Sequence, residues 1–366
     1  MRVPYVNLDK QSKEEEKELI SIFKKILVSG NYVGGKYITD FEEKIKKFCK
    51  VKYCISLNSG TDALTLALHA LGVRRGDEVI TTPNSFIAST AVIAHLGAKP
   101  VFVDVLEDQN MNYKLIESKI SKKTKVIMPV HLTGRMCDMS KIKKIASKYK
   151  LKIVEDCAQS IGSSFKGIMS GAWGDVGCFS AHPLKNLNAV GDSGYLTTNS
   201  KKIYKYIADI KNHGMTNRNI VRNFGYVSRM DNLQAAILDF RILKLNNIIK
   251  KRRENSLLYK KFITSKKVFI PEDKKDEFNT YHTFVIQVPN RDKLRKYLEK
   301  NKIETSIHYP RPIHLQPAAK YMNYKKGDFP NTEKQSKRIL TLPINQFLKA
   351  KQIKKISKLI NDFYER

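Results

Sequence analysis

Residues 176–194 read VGCFSAHPLKNLNAVGDSG, and Lys185, in the middle of the run, is the side chain best placed for covalent chemistry. An apolar stretch from Val176 to Phe179 precedes it and a Gly-Asp-Ser-Gly turn follows it. A lysine on such an irregular, partly apolar loop is withdrawn from water. Burial favours the neutral amine, and a neutral amine adds to carbonyl groups to form Schiff bases. A solvated surface lysine would account for the same segment taken alone, so the reading depends on what the rest of the chain supplies.

Three further segments place polar or aromatic groups where an apolar run ends. LKIVEDCAQS delivers Asp156 and then Gln159. A carboxylate beside a pyridine nitrogen keeps that nitrogen protonated, which makes pyridoxal 5'-phosphate (PLP) an electron sink. Gln159 would donate to the oxygen on the same ring. LNSGTDALTL ends a strand-like run, turns through Ser59, Gly60 and Thr61, and starts a helix. Such a turn points backbone N–H groups at an anion, and a glycine there allows close approach. An ordinary helix cap by Ser59 or Thr61 reads the same way. TTPNSFIAST places Phe86 just after another apolar run, where its ring would stack on a planar cofactor or fill a core.

The elements that must position these groups follow from periodicity. Apolar β-branched runs at 53–57, 78–82, 100–104, 125–130, 151–155, 176–180 and 194–198 alternate with helical patterns at 61–71, 85–96 and 139–149. This alternation predicts an α/β fold: a large domain with a mostly parallel seven-stranded sheet flanked by helices, ligands gathering beyond the carboxyl ends of its strands. A long polar helix is expected from Ala235 to about Lys261. Beyond it the pattern changes to a strand at 282–288, a helix at 291–300 and the proline-punctuated IHYPRPIHLQP. The expected division is a large domain with an N-terminal arm over 1–245 and a smaller α+β domain over 246–366.

Composition narrows the function classes. With 366 residues and 42% apolar content the chain is long enough for two domains. The formal charge of +32 is carried mostly by lysines spread over the whole sequence, without a nucleic-acid-binding motif. Anionic small molecules are the expected beneficiaries of this field, with no nucleic-acid or membrane partner. The five cysteines form no CxxC pair, which argues against a zinc site and for a reducing compartment. The opening MRVPYVNLDKQSKEEEKELI has no apolar signal-like core and no run is long enough to span a membrane, so a cytoplasmic location is the expectation.

Taken in order, the segments VPYVNLDKQ, SGNYVGGKYITDFE, NSGTDALTLAL, GDEVITTPNSFIAST, VEDCAQSIGS, FSAHPLKNL, GDSG, NHG, SRMDNLQAAIL, HYPRPIHLQP and LTLPI resemble the sugar-nucleotide aminotransferases of the DegT/StrS-like family, which belong to the fold-type I PLP enzymes. The resemblance runs almost end to end. It implies that Lys185 is the Schiff-base lysine and that Asp156 pairs with the ring nitrogen. It implies that Gln159 meets the ring oxygen, that Phe86 stacks on the ring, and that Ser59, Gly60, Thr61 and Ser180 hold the phosphate. It further implies a homodimer with shared active sites. The sugar nucleotide would meet Tyr32, His182, His308, Tyr309 and His314. The position of Val227 departs from the family, which usually carries Asn there to reach the partner subunit's cofactor phosphate; Asn232 or Arg229 would have to replace it. Ser193 is a milder departure, Gly being more usual in that turn.

The reaction implied is a two-stage exchange. L-Glutamate leaves as 2-oxoglutarate and the cofactor carries the amine as pyridoxamine phosphate (PMP). The amine then passes to the keto group of a nucleotide-linked sugar, for glycan, lipopolysaccharide O-antigen or secondary-metabolite biosynthesis. The run NLNAVGDSG, with Asp192, leans toward a 3-keto sugar rather than a 4-keto one, by analogy alone. A PLP-dependent sugar dehydratase shares most of these motifs but usually has His in place of the lysine. A regulator or scaffold on the same fold is the remaining alternative.

Overall fold

The computed structural model describes residues 2–365. Seven strands form the main sheet: β1 Tyr53–Leu57, β2 Glu78–Thr81, β3 Lys99–Phe102, β4 Thr124–Ile127, β5 Lys152–Asp156, β6 Val176–Ser180 and β7 Gly194–Thr198. Their spatial order is β1-β7-β6-β5-β4-β2-β3. β7 pairs antiparallel with both β1 and β6, while β6, β5, β4, β2 and β3 pair in parallel. Six strands therefore point one way, and the start of β7 at Gly194 lies level with the carboxyl ends of β1 and β6.

Both faces of the sheet are covered. Ile55, Leu57, Val79, Cys178 and Leu196 pack on one face with the helices Gly60–Ala70, Ala88–His95 and Lys201–Ile210. Their chain neighbours Cys54, Phe179 and Tyr195 face the other side, against helices Lys36–Cys49 and Asn232–Arg241. This alternation follows from the two-residue period of a strand, and coverage on both faces explains why the strands read as nearly continuous apolar runs. Phe179 and Tyr195 stack at 4.8 Å, and Phe41 meets Tyr195 edge-on at 5.4 Å.

Two expected helices differ from those observed. The segment expected as one helix over 235–261 is two, Asn232–Arg241 and Leu245–Phe262, joined by a 3-10 turn at Ile242–Lys244. The helix expected from Ser85 begins at Ala88, which leaves Phe86 in the preceding turn. After the long helix, Phe284–Gln287 pairs antiparallel with Ile339–Leu342, and helices Arg291–Lys300 and Ala350–Glu365 complete a further core. Val3 joins that core: its N–H donates to the Lys302 carbonyl at 2.9 Å and its side chain is buried there.

Candidate active site

The cavity lies where the sheet geometry predicts, beyond the carboxyl ends of β1, β5 and β6 and beside the turn after β2, with a volume of 470 Å³. Of the residues singled out in the sequence, the structure gathers Ser59, Gly60, Thr61, Phe86, Asp156, Gln159, Ser180, His182, Lys185, His308 and Tyr309 along its wall.

The turn after β1 is built by close packing. Ser59 caps the helix by accepting from the Asp62 N–H at 3.0 Å. That bond satisfies one of the first helical amides, while Gly60 and Thr61 line the cavity at the positive end of the helix. A Cβ on Gly60 would lie 2.8 Å from Ser180 Cβ, and one on Gly194 would lie 2.2 Å from the Ser59 carbonyl carbon. Both glycines are needed for β6, β7 and this turn to approach one another.

β5 ends on Asp156, which is buried. Its Oδ2 accepts from the Ser89 hydroxyl at 2.8 Å and its Oδ1 from the Ala158 N–H at 3.1 Å. Burial pushes the carboxyl above the usual carboxylate range, and these two hydrogen bonds with the Lys185 charge oppose that shift. Lys185 is drawn the other way, its amine held below the ordinary lysine value by burial, against the pull of Asp156. The pair thus supplies an amine that releases its proton early beside a carboxylate fixed in place by Ser89 and Ala158.

Gln159 is fixed from both ends: its Oε1 accepts from the Thr133 N–H at 2.8 Å and its Nε2 donates to the Tyr309 hydroxyl at 3.4 Å. Phe86 remains 58% exposed although it lines the cavity, with its ring 6.1 Å from that of Tyr309. An aromatic face open to the cavity is available to stack on a planar ring. His308 is braced by Thr341 at 2.9 Å and held down to about 4 by burial and by the nearby Lys185, so its ring is neutral at physiological pH.

Five of the singled-out residues, His314, Tyr32, Asn232, Val227 and Arg229, stand elsewhere in this chain. His314 is buried with Nε2 3.1 Å from Glu333 and its ring against Phe329. The 3-10 turn Ile313–Leu315 after Pro312 directs it into that packing and not into the cavity. Tyr32 is exposed, and its carbonyl accepts from the Asn232 N–H at 2.8 Å. The Asn232 side-chain amide is itself engaged, donating to the Asn31 carbonyl at 2.8 Å. Val227 is exposed, and Arg229 reaches Asn212 at 3.3 Å.

Other wall residues carried no assigned role in the sequence: Tyr5 from the N-terminal arm, Arg252 from the long helix, His282 and Asn345. Deeper, the ligand atoms of His131, Glu155 and Cys157 lie within 4.8 Å of one another. The Glu155 carboxylate already accepts from the N–H groups of Gly171, Trp173 and Gly174 and faces His131, so this group reads as a hydrogen-bonded brace under β5.

An α/β sheet with a lysine, a buried aspartate and a glycine-bearing anion turn at its strand ends defines a transferase of the aminotransferase type, and comparison with known proteins makes the family definite. The model of the DegT/DnrJ/EryC1/StrS aminotransferase family matches residues 13–361, and the chain belongs to that family. A relative from Aneurinibacillus thermoaerophilus, the dTDP-3-amino-3,6-dideoxy-alpha-D-galactopyranose transaminase, is 36% identical over 99% of both chains. The "Pleiotropic regulatory protein" of Geobacillus stearothermophilus is 35% identical over 100% of this chain and 99% of its own. The solved structure of S. venezuelae DesV in complex with a ketimine intermediate superposes with a TM-score of 0.97, at 32% identity, over 100% of this chain and 99% of that one. NtdA from Bacillus subtilis with bound PMP superposes with a TM-score of 0.90, at 31% identity, over 98% of this chain and 84% of that one. Among the described residues no helix is long and apolar enough to cross a membrane.

Proposed function

We propose that this protein transfers the amino group of L-glutamate to the keto group of a nucleotide-linked sugar, with PLP as its cofactor and a 3-keto sugar as its acceptor. The observation that carries the reading is the placement of Lys185 and Asp156 on one cavity wall, with the Ser59–Gly60–Thr61 turn lining the same space. The residues fit such a cofactor. A Cβ on Gly60 would collide with Ser180, so the first amides of the helix sit against the strand end where a phosphate would be received. Asp156 is fixed on the cavity wall by two hydrogen bonds, where it would pair with a ring nitrogen, and Phe86 offers an open aromatic face.

When bound, PLP supplies the electron sink that allows an amino group to leave one carbon and be installed on another. The rest is the work of this chain. Lys185 Nζ, kept short of protons by burial, takes the proton from the donor's Cα and returns one to the sugar carbon in the second half. The hydrogen bonds from Ser89 and Ala158 favour the charged form of Asp156 against burial, which pushes its carboxyl up. The Gln159 amide, held through its Oε1 by the Thr133 N–H, would donate to the ring oxygen. His182, His308 and Tyr309 line the space left for the sugar.

The 3-keto preference is supported by the Asp192 turn and by the 3-amino product named for the Aneurinibacillus relative. A homodimer is supported by exposed apolar side chains: Phe224 is 99% exposed, Val28 79% and Leu243 71%. The test is incubation of the PLP-loaded protein with L-glutamate and a panel of 3-keto and 4-keto dTDP- and UDP-sugars. Formation of a 3-amino sugar is expected; amination at C4 alone would overturn the 3-keto preference. The name of the Geobacillus relative favours a second reading, a regulator on the same fold. A protein that takes up no PLP and shows no absorbance change with glutamate would support that reading.

A further inference from the structure

Four arginines among the described residues are more than nine-tenths buried: Arg135, Arg241, Arg252 and Arg291. Three of them have a carboxylate. Arg135 pairs with Glu277 and Asp273, Arg241 with Glu15, and Arg291 with Asp292. Arg252 has none among the described residues. Its Nη1 donates to the carbonyls of Tyr281 at 3.2 Å and His282 at 3.0 Å, and its Nε is buried without a partner. Arg252 lines the same cavity as Lys185, together with Tyr5, His282 and Asn345. Burial lowers its guanidinium to about 10, opposed only by the Tyr5 phenol. A cation stripped of water and left with neutral partners is expensive to maintain, and the expense is relieved when an anion arrives.

The chemistry of the two substrates indicates which anion. Lys185 must reach the donor's Cα, and in an α-amino acid the carboxylate is bonded directly to that carbon. The donor's anion therefore has to lie beside Lys185, where Arg252 shares the wall. In a nucleotide-linked sugar the phosphates hang from C1, removed by ring atoms from the carbon that is aminated. A guanidinium fork also matches a carboxylate's two oxygens. Building on the aminotransferase reading above, we propose that Arg252 is the carboxylate-binding residue for the amino donor.

The test is calorimetric titration of the PLP-loaded protein with glutarate, a dicarboxylate that has no amine to react, and separately with dTDP. Arg252→Gln should weaken glutarate binding by about 10- to 100-fold and leave dTDP binding within about twofold. Arg252→Lys, which keeps the charge but loses the fork, should fall between and serves as the measurement if the Gln variant does not fold. The proposal is overturned if the wild type does not bind glutarate, if the substituted protein binds it unchanged, or if dTDP binding is what disappears. Failure of the underlying reading is separately visible. A protein that binds glutarate through Arg252 yet shows no absorbance change with L-glutamate keeps the carboxylate site and loses the transaminase.

Discussion

The Ser89 hydroxyl stands 2.8 Å from Asp156 Oδ2 and donates to it, opposing the effect of burial on that carboxylate. Removing it in Ser89→Ala should push Asp156 further up. A hydrogen bond to a charged group contributes about 1.5–3 kcal/mol, so its loss favours the protonated carboxyl. The acidic limb of the kcat–pH profile is expected to move toward neutrality. An unmoved limb would separate Ser89 from the ionisation of Asp156.

Gly60→Ala tests the anion turn. The new methyl would lie 2.8 Å from Ser180 Cβ and 3.3 Å from the Phe179 carbonyl oxygen. Either β6 or the turn must give way, at a cost of about 1–3 kcal/mol. PLP affinity, read from its visible absorbance, is expected to drop about tenfold or more, with a lower melting temperature. Wild-type affinity would mean that the phosphate is held elsewhere.

His308 makes stability fall in acid. Its folded value of about 4 lies below the value of about 6.5 in the unfolded chain, so the unfolded state binds the proton first. The stability from keeping this ring neutral is fully present above about pH 6.5 and is lost as pH falls toward 4. His282, also pushed down by burial, adds to the same trend, whereas Asp156, pushed up, opposes it. Melting temperature measured from pH 7.5 to 4 should decline, and His308→Asn should flatten the decline. An identical slope in the variant would refute this origin.

The loop that carries Lys185 is held by a buried ionic clamp. Arg241 Nε donates to Glu15 at 2.8 Å while its Nη1 reaches the carbonyls of Asn188 at 2.8 Å and Ala189 at 3.2 Å. Asn188 in turn exchanges hydrogen bonds with Gln11. Arg241→Met should destabilise the fold by about 3 kcal/mol, the lower end for a broken buried pair, because Glu15 keeps only the longer contacts from Lys244 and Gln11, both at 3.4 Å. The double variant Glu15→Met with Arg241→Met should recover part of that loss in a denaturant melt. Equal stability of the single variant and the wild type would show that the clamp contributes little.

The strands were legible because a sheet covered on both faces needs apolar β-branched runs, and 176–180 or 194–198 offer few other readings. The break at Ile242–Lys244 was not legible, because one tight turn leaves the helical spacing of apolar residues almost intact. Lys185, Asp156 and Gly60 reach the cavity wall from at or just beyond strand ends, positions the sequence marks. Arg252 could not: on a polar helix it reads as one more surface cation, and only tertiary packing takes it from water. His314 illustrates the reverse error, since HYPRPIHLQP reads as one unit while its 3-10 turn sends His308 and His314 to different surroundings.

The seating of Val3 against Lys302, with Tyr5 in the cavity wall, has a consequence for biogenesis. The segment from Val3 to Tyr5 finds its place only after the chain around Lys302, some three hundred positions later, has been made. The catalytic chamber cannot close during translation, and the N-terminal arm spends that interval unpaired. Proteolytic loss of the segment that carries Val3 and Tyr5 would thus damage a chamber whose Asp156 and Lys185 are encoded more than a hundred positions later.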